Sequence, residues 1–344
     1  MSSSSTTPAA ETAFLAGLAA GLPATEVGPF GTVIAVSGGA DSVALAVGLV
    51  RLTPSEAAQR LVIAHADHGL RQESAADQEF VRELAGRLGV GFVCRRLEVA
   101  AAGGGEGLEG RARRLRYEFL AEAAHGAGAR HVMVAHTADD QAETILHRVL
   151  RGTGVAGLAG MRRSRPLADG VALLRPLLDV PRATVRAFLR ATGQSWREDE
   201  TNADRKRARN FLRHDVLPRC EAGPYPAATE ALVRLGGHAA SLEGMLRSAA
   251  ARFLDLSASR RPDGAVVLRT DGLIVLDRHL VMQMFSLLWA REGWPTRDMT
   301  AIHYGRLADA VAANAGATAG ATDFPGGVRV SRTGPGQLTL EPNR

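Results

Sequence analysis

The sequence has few of the residues that cross-link small folds or anchor proteins in membranes. Its two cysteines, Cys94 and Cys220, are far apart and form no C-x-x-C pattern. This argues against a disulfide scaffold, a zinc knuckle or an iron–sulfur cluster. Residues 1–10 are rich in serine and lack the regions of a signal peptide, and no apolar run is long enough to span a bilayer. We therefore expect a cytoplasmic protein that works without a membrane.

Lysine is also nearly absent, since Lys206 is the only one in the chain. The 41 basic and 36 acidic residues give a net charge of +5, and because all the other basic residues are arginine, the pI is about 9.9. Arginine is the better bidentate ligand for phosphate, which favours a nucleic-acid partner. An arginine bias caused by a GC-rich genome explains the same composition.

Up to about residue 150 the sequence alternates between apolar strands and helices. The predicted strands lie at 32–36, 61–65, 90–99 and 131–135, and the helices that follow them at 43–52, 75–88, 108–124 and 138–150. This alternation predicts an α/β fold with a doubly wound, mainly parallel sheet. Ligands of such sheets bind at the carboxyl ends of the strands.

The length of 344 residues and a hydrophobic content of 46% suit two domains. A Gly-Pro-Tyr-Pro segment within 222–226 marks the predicted boundary. We expect a disordered or short helical extension at 1–20, a catalytic domain at 21–222, and a small, mostly helical C-terminal domain at 227–344. The elements predicted outside the alternating region are a strand at 171–178, a long helix at 227–256, a hairpin at 265–276, helices at 279–292 and 298–313, and a strand pair at 328–340.

The strongest motif is a six-residue turn between the first predicted strand and its helix. It consists of Ser37, Gly38, Gly39, Ala40, Asp41 and Ser42. Adjacent glycines let a ligand approach the backbone, and the helix N-terminus favours an anion such as phosphate. A carboxylate beside phosphate needs a cation between them, and Mg²⁺ on Asp41 meets that need. The turn lacks the lysine of a Walker loop and the G-x-G-x-x-G spacing; an ordinary strand-to-helix turn is the alternative.

Polar clusters follow the later strands. His65 ends the second strand and begins a segment with His68 and Arg71, which suits a nucleotide pocket, a weak metal site or a polar turn. His136, Asp139, Asp140 and Glu143 follow the fourth strand, and Asp140 and Glu143 share a helix face. They could bind a second metal or an ammonium group. A capping box between Thr137 and Asp140 explains part of this pattern.

Two basic segments complete the set of candidates. Arg113 shares a predicted helix face with Glu109, Arg116 and Tyr117, which could contact a nucleotide or RNA, or be a solvated face on which Glu109 and Arg113 pair. The run at 205–213 is the most basic in the chain and is typical of a solvated or RNA-facing surface. Glycine-rich residues at 101–107 form either a mobile lid or a plain linker.

The six-residue turn resembles the signature of the PP-loop ATP pyrophosphatase superfamily. From Val33 to Pro218 the chain further resembles tRNA(Ile)-lysidine synthetases, and more loosely so beyond. The segments that carry this resemblance are HADHGLR at 65–71, Glu109 with Ala112-Arg113 and Arg116-Tyr117, Ala135-His136 with DDQAET at 139–144, RGTG at 151–154, DETN at 199–202 and RNFLR at 209–213. The chain looks like a short form, with one C-terminal module for recognition of the tRNA.

This resemblance implies an enzyme that adenylates O2 of the wobble cytidine of a CAU-anticodon tRNA(Ile) with ATP and Mg²⁺. Free L-lysine then displaces AMP at C2, forming lysidine. By motif position, Asp41 holds the metal on the phosphates, and Asp140 and Glu143 receive the lysine amine. His136 and Arg209 neutralise the α-phosphate, while His65 and Arg113 line the nucleotide site.

The sequence also allows two other functions. It is compatible with a homodimer as well. A tRNA thiolase of the same superfamily also adenylates a base, although thiolases relay sulfur through cysteines or a cluster, and Cys94 and Cys220 lie outside every motif. A non-catalytic RNA-binding protein would be expected to lose Asp41, Asp140 and Glu143, which are intact here.

Overall fold

The computed structural model describes residues 6–22, 30–67, 74–98, 107–198, 208–313 and 320–342. The chain divides into two compact units, Met1–Gly237 and His238–Arg344. The division lies within a long helix, whereas the boundary predicted from the sequence is the turn at 222–226 that precedes this helix. The predicted limits of the functional domains stay a prediction.

The first unit contains a six-stranded sheet in the order β3-β2-β1-β4-β6-β5. Five of its strands are parallel, and only the edge strand β5 runs antiparallel, against β6. The predicted mainly parallel α/β fold is confirmed, and β5 is an addition that the alternating pattern did not reveal. The strands are β1 (Gly31–Ala35), β2 (Leu61–Asp67), β3 (Gly91–Arg96), β4 (Ala129–Met133), β5 (Ser164–Ala168) and β6 (Val171–Leu174).

Helices cover both faces of this sheet, and a helical stretch follows it. The helices are α1 (Thr6–Gly21), α2 (Ala40–Leu52), α3 (Ser55–Ala58), α4 (Ser74–Leu88), α5 (Leu108–Gly126), α6 (Ala138–Leu150), α7 (Val155–Leu158), α8 (Arg182–Ala191), α9 (Ala208–Phe211) and α10 (Leu217–Ala222), with a π-helical turn at Leu212–Val216 between the last two. One apolar core joins α1, α2, α4 and α8 to the sheet, and a second joins α5 to the opposite face.

The N-terminal extension is helical where the structure describes it, and the strand near 171 is shorter than predicted. Helix α1 begins at Thr6, so the described part of the extension takes the helical form of the two that the sequence allows. It is held by Phe14, which is fully buried and stacks on Phe188 with ring centroids 4.2 Å apart. The strand predicted at 171–178 ends at Leu174, because a turn in which the Leu178 amide donates to the carbonyl of Arg175 follows it.

The second unit combines helices with a five-stranded antiparallel sheet in the order β7-β8-β11-β10-β9. The hairpin predicted at 265–276 is wrong in position. Strand β8 ends at Arg269, and the Leu273 amide then donates to the carbonyl of Thr270 in a turn. The strand pairs instead with β7 and β11. No helix in the described ranges is long and apolar enough to cross a membrane. The elements are α11 (Ala228–Ser257), β7 (Ala258–Arg260), β8 (Val266–Arg269), α12 (Arg278–Arg291), α13 (Ala301–Ala312), β9 (Thr322–Phe324), β10 (Val328–Gly334) and β11 (Gln337–Pro342).

Candidate active site

The glycine turn lies where β1 ends and α2 begins, as the sequence predicts. Gly38 has a φ of 96°, which glycine adopts without strain. The hydroxyl of Ser42 donates to the carbonyl of Gly39 over 2.9 Å and accepts from the amide of Ser37 over 3.2 Å. The turn is therefore fixed by its own serines. The first amides of an α-helix have no partner within the helix, so the N-terminus of α2 is suited to an anion.

Four carboxylates meet beside this turn. Asp41 lies in the first turn of α2, and Asp139, Asp140 and Glu143 lie on α6. The guanidinium of Arg182 contacts all four, with distances of 3.4 Å to Asp41 Oδ2, 3.8 Å to Asp139 Oδ1, 2.8 Å to Asp140 Oδ1 and 3.6 Å to Glu143 Oε1. These acids thus converge at one edge of the sheet, where the carboxyl ends of parallel strands place the segments that follow them.

A second guanidinium, from Arg213 in the π-helical turn, binds the α6 carboxylates. Its Nε donates to Glu143 Oε1 over 2.6 Å, and its Nη2 donates to Glu143 Oε2 over 2.9 Å and to Asp140 Oδ1 over 2.8 Å. Only 3% of the Glu143 side chain is exposed. Charge-assisted bidentate contacts of this kind hold both partners in one geometry.

Sequence reasoning missed Arg182 and did not assign Arg213 to the site. Arg182 is the first residue of α8, where the helix dipole disfavours a cation. A cation at that position indicates that carboxylates lie nearby to compensate its charge. The main-chain amide of Arg182 also donates to Asp139 Oδ2, over 2.8 Å. Arg213 belongs to the basic run at 205–213, within which the sequence offers no means of separating a buried arginine from exposed ones.

Asp140 serves the local fold and the site at once. Its carboxylate accepts from the amide and the hydroxyl of Thr137, over 2.9 and 3.0 Å, in a capping box at the start of α6. The capping alternative considered for this motif is therefore also present. Because one oxygen caps the helix while the other binds both guanidiniums, the position of Asp140 is fixed from two sides.

The carboxylates differ in proton affinity. Burial raises the pKa of Asp41, and the nearby Arg182 only partly offsets it. Burial likewise raises the pKa of Glu143 against the opposing effect of Arg213. Burial also acts on Asp140, yet Arg182 and the Thr137 amide outweigh it and lower the pKa of that carboxyl. Asp41 and Glu143 are therefore the carboxylates of the site that bind a proton more readily than usual.

His136 lies shortly after the end of β4, in the loop that leads to α6, and next to this network. Burial lowers its pKa to about 4, with Asp140 opposing the shift and Arg175, Arg116 and Arg113 adding to it. The imidazole is therefore neutral at pH 7. Its Nδ1 atom is buried and has no hydrogen-bond partner within the described part of the chain.

The other predicted residues occupy different positions around the turn. His65 is buried, and its Nδ1 lies 2.9 Å from the carbonyl of Val36, which ties β2 to the residue before the turn. Arg209 is exposed on α9 and lies outside the carboxylate network, so its predicted role stays a prediction. The segments at 68–73, 99–106 and 199–207, with His68, Arg71, the proposed lid and Lys206, lie outside the described residues.

The donor set of this site bears on metal binding. Within the described ranges no group of three His, Cys, Asp or Glu residues is placed to hold a metal ion by itself. One oxygen of Asp41, Oδ1, is buried and has no hydrogen-bond partner in those ranges. Mg²⁺ is commonly held by one or two carboxylates together with substrate phosphates, so Asp41 beside a phosphate turn fits such an ion.

An open pocket elsewhere in the first unit does not take part in this site. It has a volume of about 420 Å³ and is lined by Phe30, Arg130 and residues of β5 and β6. The guanidinium of Arg130 lies 4.0 Å from the centre of the Phe30 ring. None of the four carboxylates lines it.

The sheet, the glycine turn and the adjacent carboxylates define a PP-loop protein, and the PP-loop domain family matches residues 23–220. The chain is 37% identical over 310 residues to the tRNA(Ile)-lysidine synthase of Rhodopirellula baltica, an alignment covering 80% of this chain and 78% of that protein. It is 39% identical over 291 residues to that of Methylobacterium nodulans, covering 82% and 83%. The chain belongs to the tRNA(Ile)-lysidine synthase family.

Other relatives are longer than this chain. The tRNA(Ile)-lysidine synthase of Thermus thermophilus is 50% identical over 225 residues, which is 64% of this chain but only 42% of that protein. Among solved structures, the U34-tRNA thiolase NcsA from Methanococcus maripaludis with its [4Fe-4S] cluster has a TM-score of 0.55 at 14% identity, covering 67% of this chain and 80% of that one. This likeness supports the fold alone.

Proposed function

We propose that this protein is a cytoplasmic enzyme that joins free L-lysine to C2 of the wobble cytidine in a CAU-anticodon tRNA(Ile). In the first step, the cytidine O2 attacks the α-phosphorus of ATP and pyrophosphate leaves. In the second, the lysine ε-amine attacks C2 and AMP leaves with the O2 oxygen. The products are lysidine, AMP and pyrophosphate.

The observation that carries this proposal is the carboxylate site on α6, beside the phosphate-binding turn. Asp140 and Glu143 accept guanidinium N–H groups at 2.6–2.9 Å, which are the contacts that a lysine ammonium would require. Arg182 joins these acids to Asp41. A cationic nucleophile and an activated phosphate would thus be held side by side, which is the positional advantage that ligation needs.

The turn and Asp41 would hold the nucleotide. Amides at the start of α2 and the hydroxyl of Ser37 would contact the pyrophosphate. Asp41, whose Oδ1 has no partner in the described chain, would hold Mg²⁺ on the phosphate oxygens. When bound, this ion neutralises the negative charge of the phosphates and of the departing pyrophosphate.

Glu143 is our candidate for the proton acceptor. The attacking amine must first lose the proton of its ammonium form, and a carboxylate with a raised pKa is a better base than an ordinary one. The proton would pass from Nζ of lysine to a Glu143 oxygen before the amine attacks C2. Asp140, whose pKa is lowered, would stay ionised and orient the amine.

Two further residues would act on the α-phosphate. His136 is neutral in the ligand-free protein because burial lowers its pKa to about 4, so its contribution would be a hydrogen bond from the ring. Arg209, which is exposed on α9, would place its guanidinium against the negative charge that develops as pyrophosphate leaves. His65 and Arg113 remain candidates for the nucleotide.

The test measures both steps in the same reaction. Purified protein is incubated with Mg-ATP, labelled lysine and transcripts of tRNA(Ile) with a CAU anticodon, its wobble-base variant, or methionine tRNA. We expect label only in the first. Pyrophosphate release without lysine incorporation would show a different nucleophile, as in a thiolase, and neither signal beside an active control synthetase would indicate an RNA-binding protein.

A variant pair assigns the roles of the acids. Glu143→Gln should lower lysine transfer by at least a hundredfold, because it removes the base and one negative charge, while binding of Mg-ATP should change less than threefold. The matched control is Glu83→Gln, an exposed acid on α4 paired with Arg87, which should leave both unchanged. Unchanged lysine transfer by Glu143→Gln would remove Glu143 from the mechanism.

A further inference from the structure

Four arginines act on Tyr117 in the first unit, and three of them lie against its phenol ring. The guanidinium carbons of Arg113, Arg116 and Arg165 lie 5.2, 5.3 and 4.8 Å from the centre of the ring. Arg175, which is 3% exposed, also acts electrostatically on Tyr117. We refer to these five residues as the arginine-ringed tyrosine.

This group has an excess of positive charge. No ion pair with a carboxylate is found for any of its four arginines among the described residues, whereas the neighbouring Arg114 on α5 pairs with Glu118 at 2.9 Å. Burial would raise the pKa of the Tyr117 hydroxyl, but the surrounding arginines outweigh it and lower that pKa. The Nε atoms of Arg116 and Arg175 are buried without a hydrogen-bond partner in the described ranges. Buried donors and clustered cations of this kind are typical of an anion site.

Arg175 of the arginine-ringed tyrosine lies at the same edge of the sheet as the carboxylates. Arg175 directly follows β6, and Arg165 pairs in register with Leu173 near the end of that strand. His136 is influenced both by the carboxylates and by the arginine-ringed tyrosine, since Asp140 raises its pKa while Arg175 and Arg116 lower it. The carboxyl edge of the sheet thus has an acidic part and a basic part.

We propose that the arginine-ringed tyrosine binds backbone phosphates of the RNA strand whose reacting nucleotide enters the acidic part. This inference rests on the proposed function, since it names where that substrate is held. Guanidinium groups stacked on an aromatic ring are already oriented, so they lose little freedom when they bind phosphate.

The position of this group favours RNA over the phosphates of ATP. The glycine turn follows β1, and β4 and β6 are the next two strands in the sheet. With strands spaced about 4.8 Å apart, Arg175 is separated from the turn by roughly 10 Å across the sheet, and β5 with Arg165 lies one strand further. The turn also has its own amide donors for a nucleotide, and Arg113 is exposed, as suits contact with a polymer.

The test compares tRNA binding by the full-length protein and by Arg165→Gln, without lysine or ATP, between 50 and 200 mM NaCl. Loss of one phosphate contact should reduce the slope of log K against log salt by about 0.7–0.9. At 100 mM salt this corresponds to roughly five- to eightfold weaker binding. The dissociation constant of Mg-ATP should stay within twofold of wild type.

Two matched variants separate this contact from other effects. Arg165→Lys keeps the charge and should retain the wild-type salt slope. Arg114→Gln removes an arginine whose charge Glu118 balances, so its slope should change by less than half as much as that of Arg165→Gln.

Several outcomes would overturn the inference. One is an unchanged salt slope in Arg165→Gln, another is an equal loss in Arg114→Gln, and a third is weaker Mg-ATP binding with unaltered tRNA binding, which would assign the site to ATP. Because lysine is absent from this assay, failure to form lysidine would count against the proposed function and leave the binding result standing.

Discussion

Replacing Arg213 by methionine should destabilise the first unit more than replacing its partner Glu143 by methionine. The site has four carboxylates, Asp41, Asp139, Asp140 and Glu143, but only two guanidiniums contact them among the described residues, those of Arg182 and Arg213. Loss of the Arg213 guanidinium therefore leaves four carboxylates with the single guanidinium of Arg182. Loss of Glu143 relieves repulsion with Asp140, which is one of the causes that raise the pKa of Glu143.

The expected size follows from the contacts of Arg213. Breaking a buried ion pair from one side typically costs about 3–5 kcal/mol. Three features reduce this value here: a quarter of the Arg213 side chain is exposed, Arg182 still lies 3.6 Å from Glu143, and Glu143 can take up a proton. We therefore expect Arg213→Met to cost about 2–3 kcal/mol at pH 7 and Glu143→Met about 0–1.5 kcal/mol, in view of these opposing effects.

The assay is a double-mutant cycle measured by urea unfolding at pH 7. The double variant should be more stable than the sum of the single changes predicts, by about 1–2 kcal/mol, because neither partner is then left buried alone. A coupling energy below about 0.5 kcal/mol, the usual limit of additivity, would refute this reasoning. So would a larger loss for Glu143→Met than for Arg213→Met.

Two further predictions concern the turn and the histidine. Gly38→Ala should lower the free energy of unfolding by about 1–2 kcal/mol, because φ is 96° at this position although the added Cβ meets nothing closer than 3.7 Å. The same variant should weaken ATP binding. The control is Gly86→Ala on α4, where nothing lies within 4 Å of the added Cβ; it should be neutral or stabilising in the same urea unfolding experiment. His136 has a pKa of about 4 in the folded protein against 6.5 in the unfolded chain, so between these pH values the unfolded state binds the extra proton. The free energy of unfolding of wild type should therefore rise from pH 4 to pH 6.5 more steeply than that of His136→Gln. An NMR titration of the ring with a midpoint above pH 6 would contradict this prediction.

The parts of the fold that depend on local pattern were predictable from sequence. Helix α6 runs from Ala138 to Leu150 as predicted, because its capping residue and its apolar spacing are both local signals. The predicted parallel strands also form, although β3 and β6 are shorter than expected. Strand β5 was not recognised because it is a short edge strand that contains Pro166, a residue that usually argues against a strand.

The site was only half predictable for a physical reason. Asp41, Asp139 and Asp140 lie in the first turns of helices that follow parallel strands, and Glu143 lies one turn further along α6, so the topology rule alone brings them to one edge. Arg182 and Arg213 reach that edge from α8 and from the π-helical turn, far along the chain, and no local pattern indicates which of the 41 basic residues will balance a buried acid. The contacts of Arg182 follow from the packing of α8 beside α2.

The charge balance of the site explains how it could hold two further cations. If all four carboxylates are ionised, the two guanidiniums leave a net charge of −2. This surplus is not shared evenly, because the pKa is raised at Asp41 and at Glu143 and lowered at Asp140. Groups with raised pKa values are those that gain most from a new cation. Asp41 lies beside the glycine turn, where a metal ion would serve the proposed nucleotide, and Glu143 lies on α6, where it would receive the amine. Because Arg182 contacts both acids, at 3.4 and 3.6 Å, the two cations would be bound next to each other.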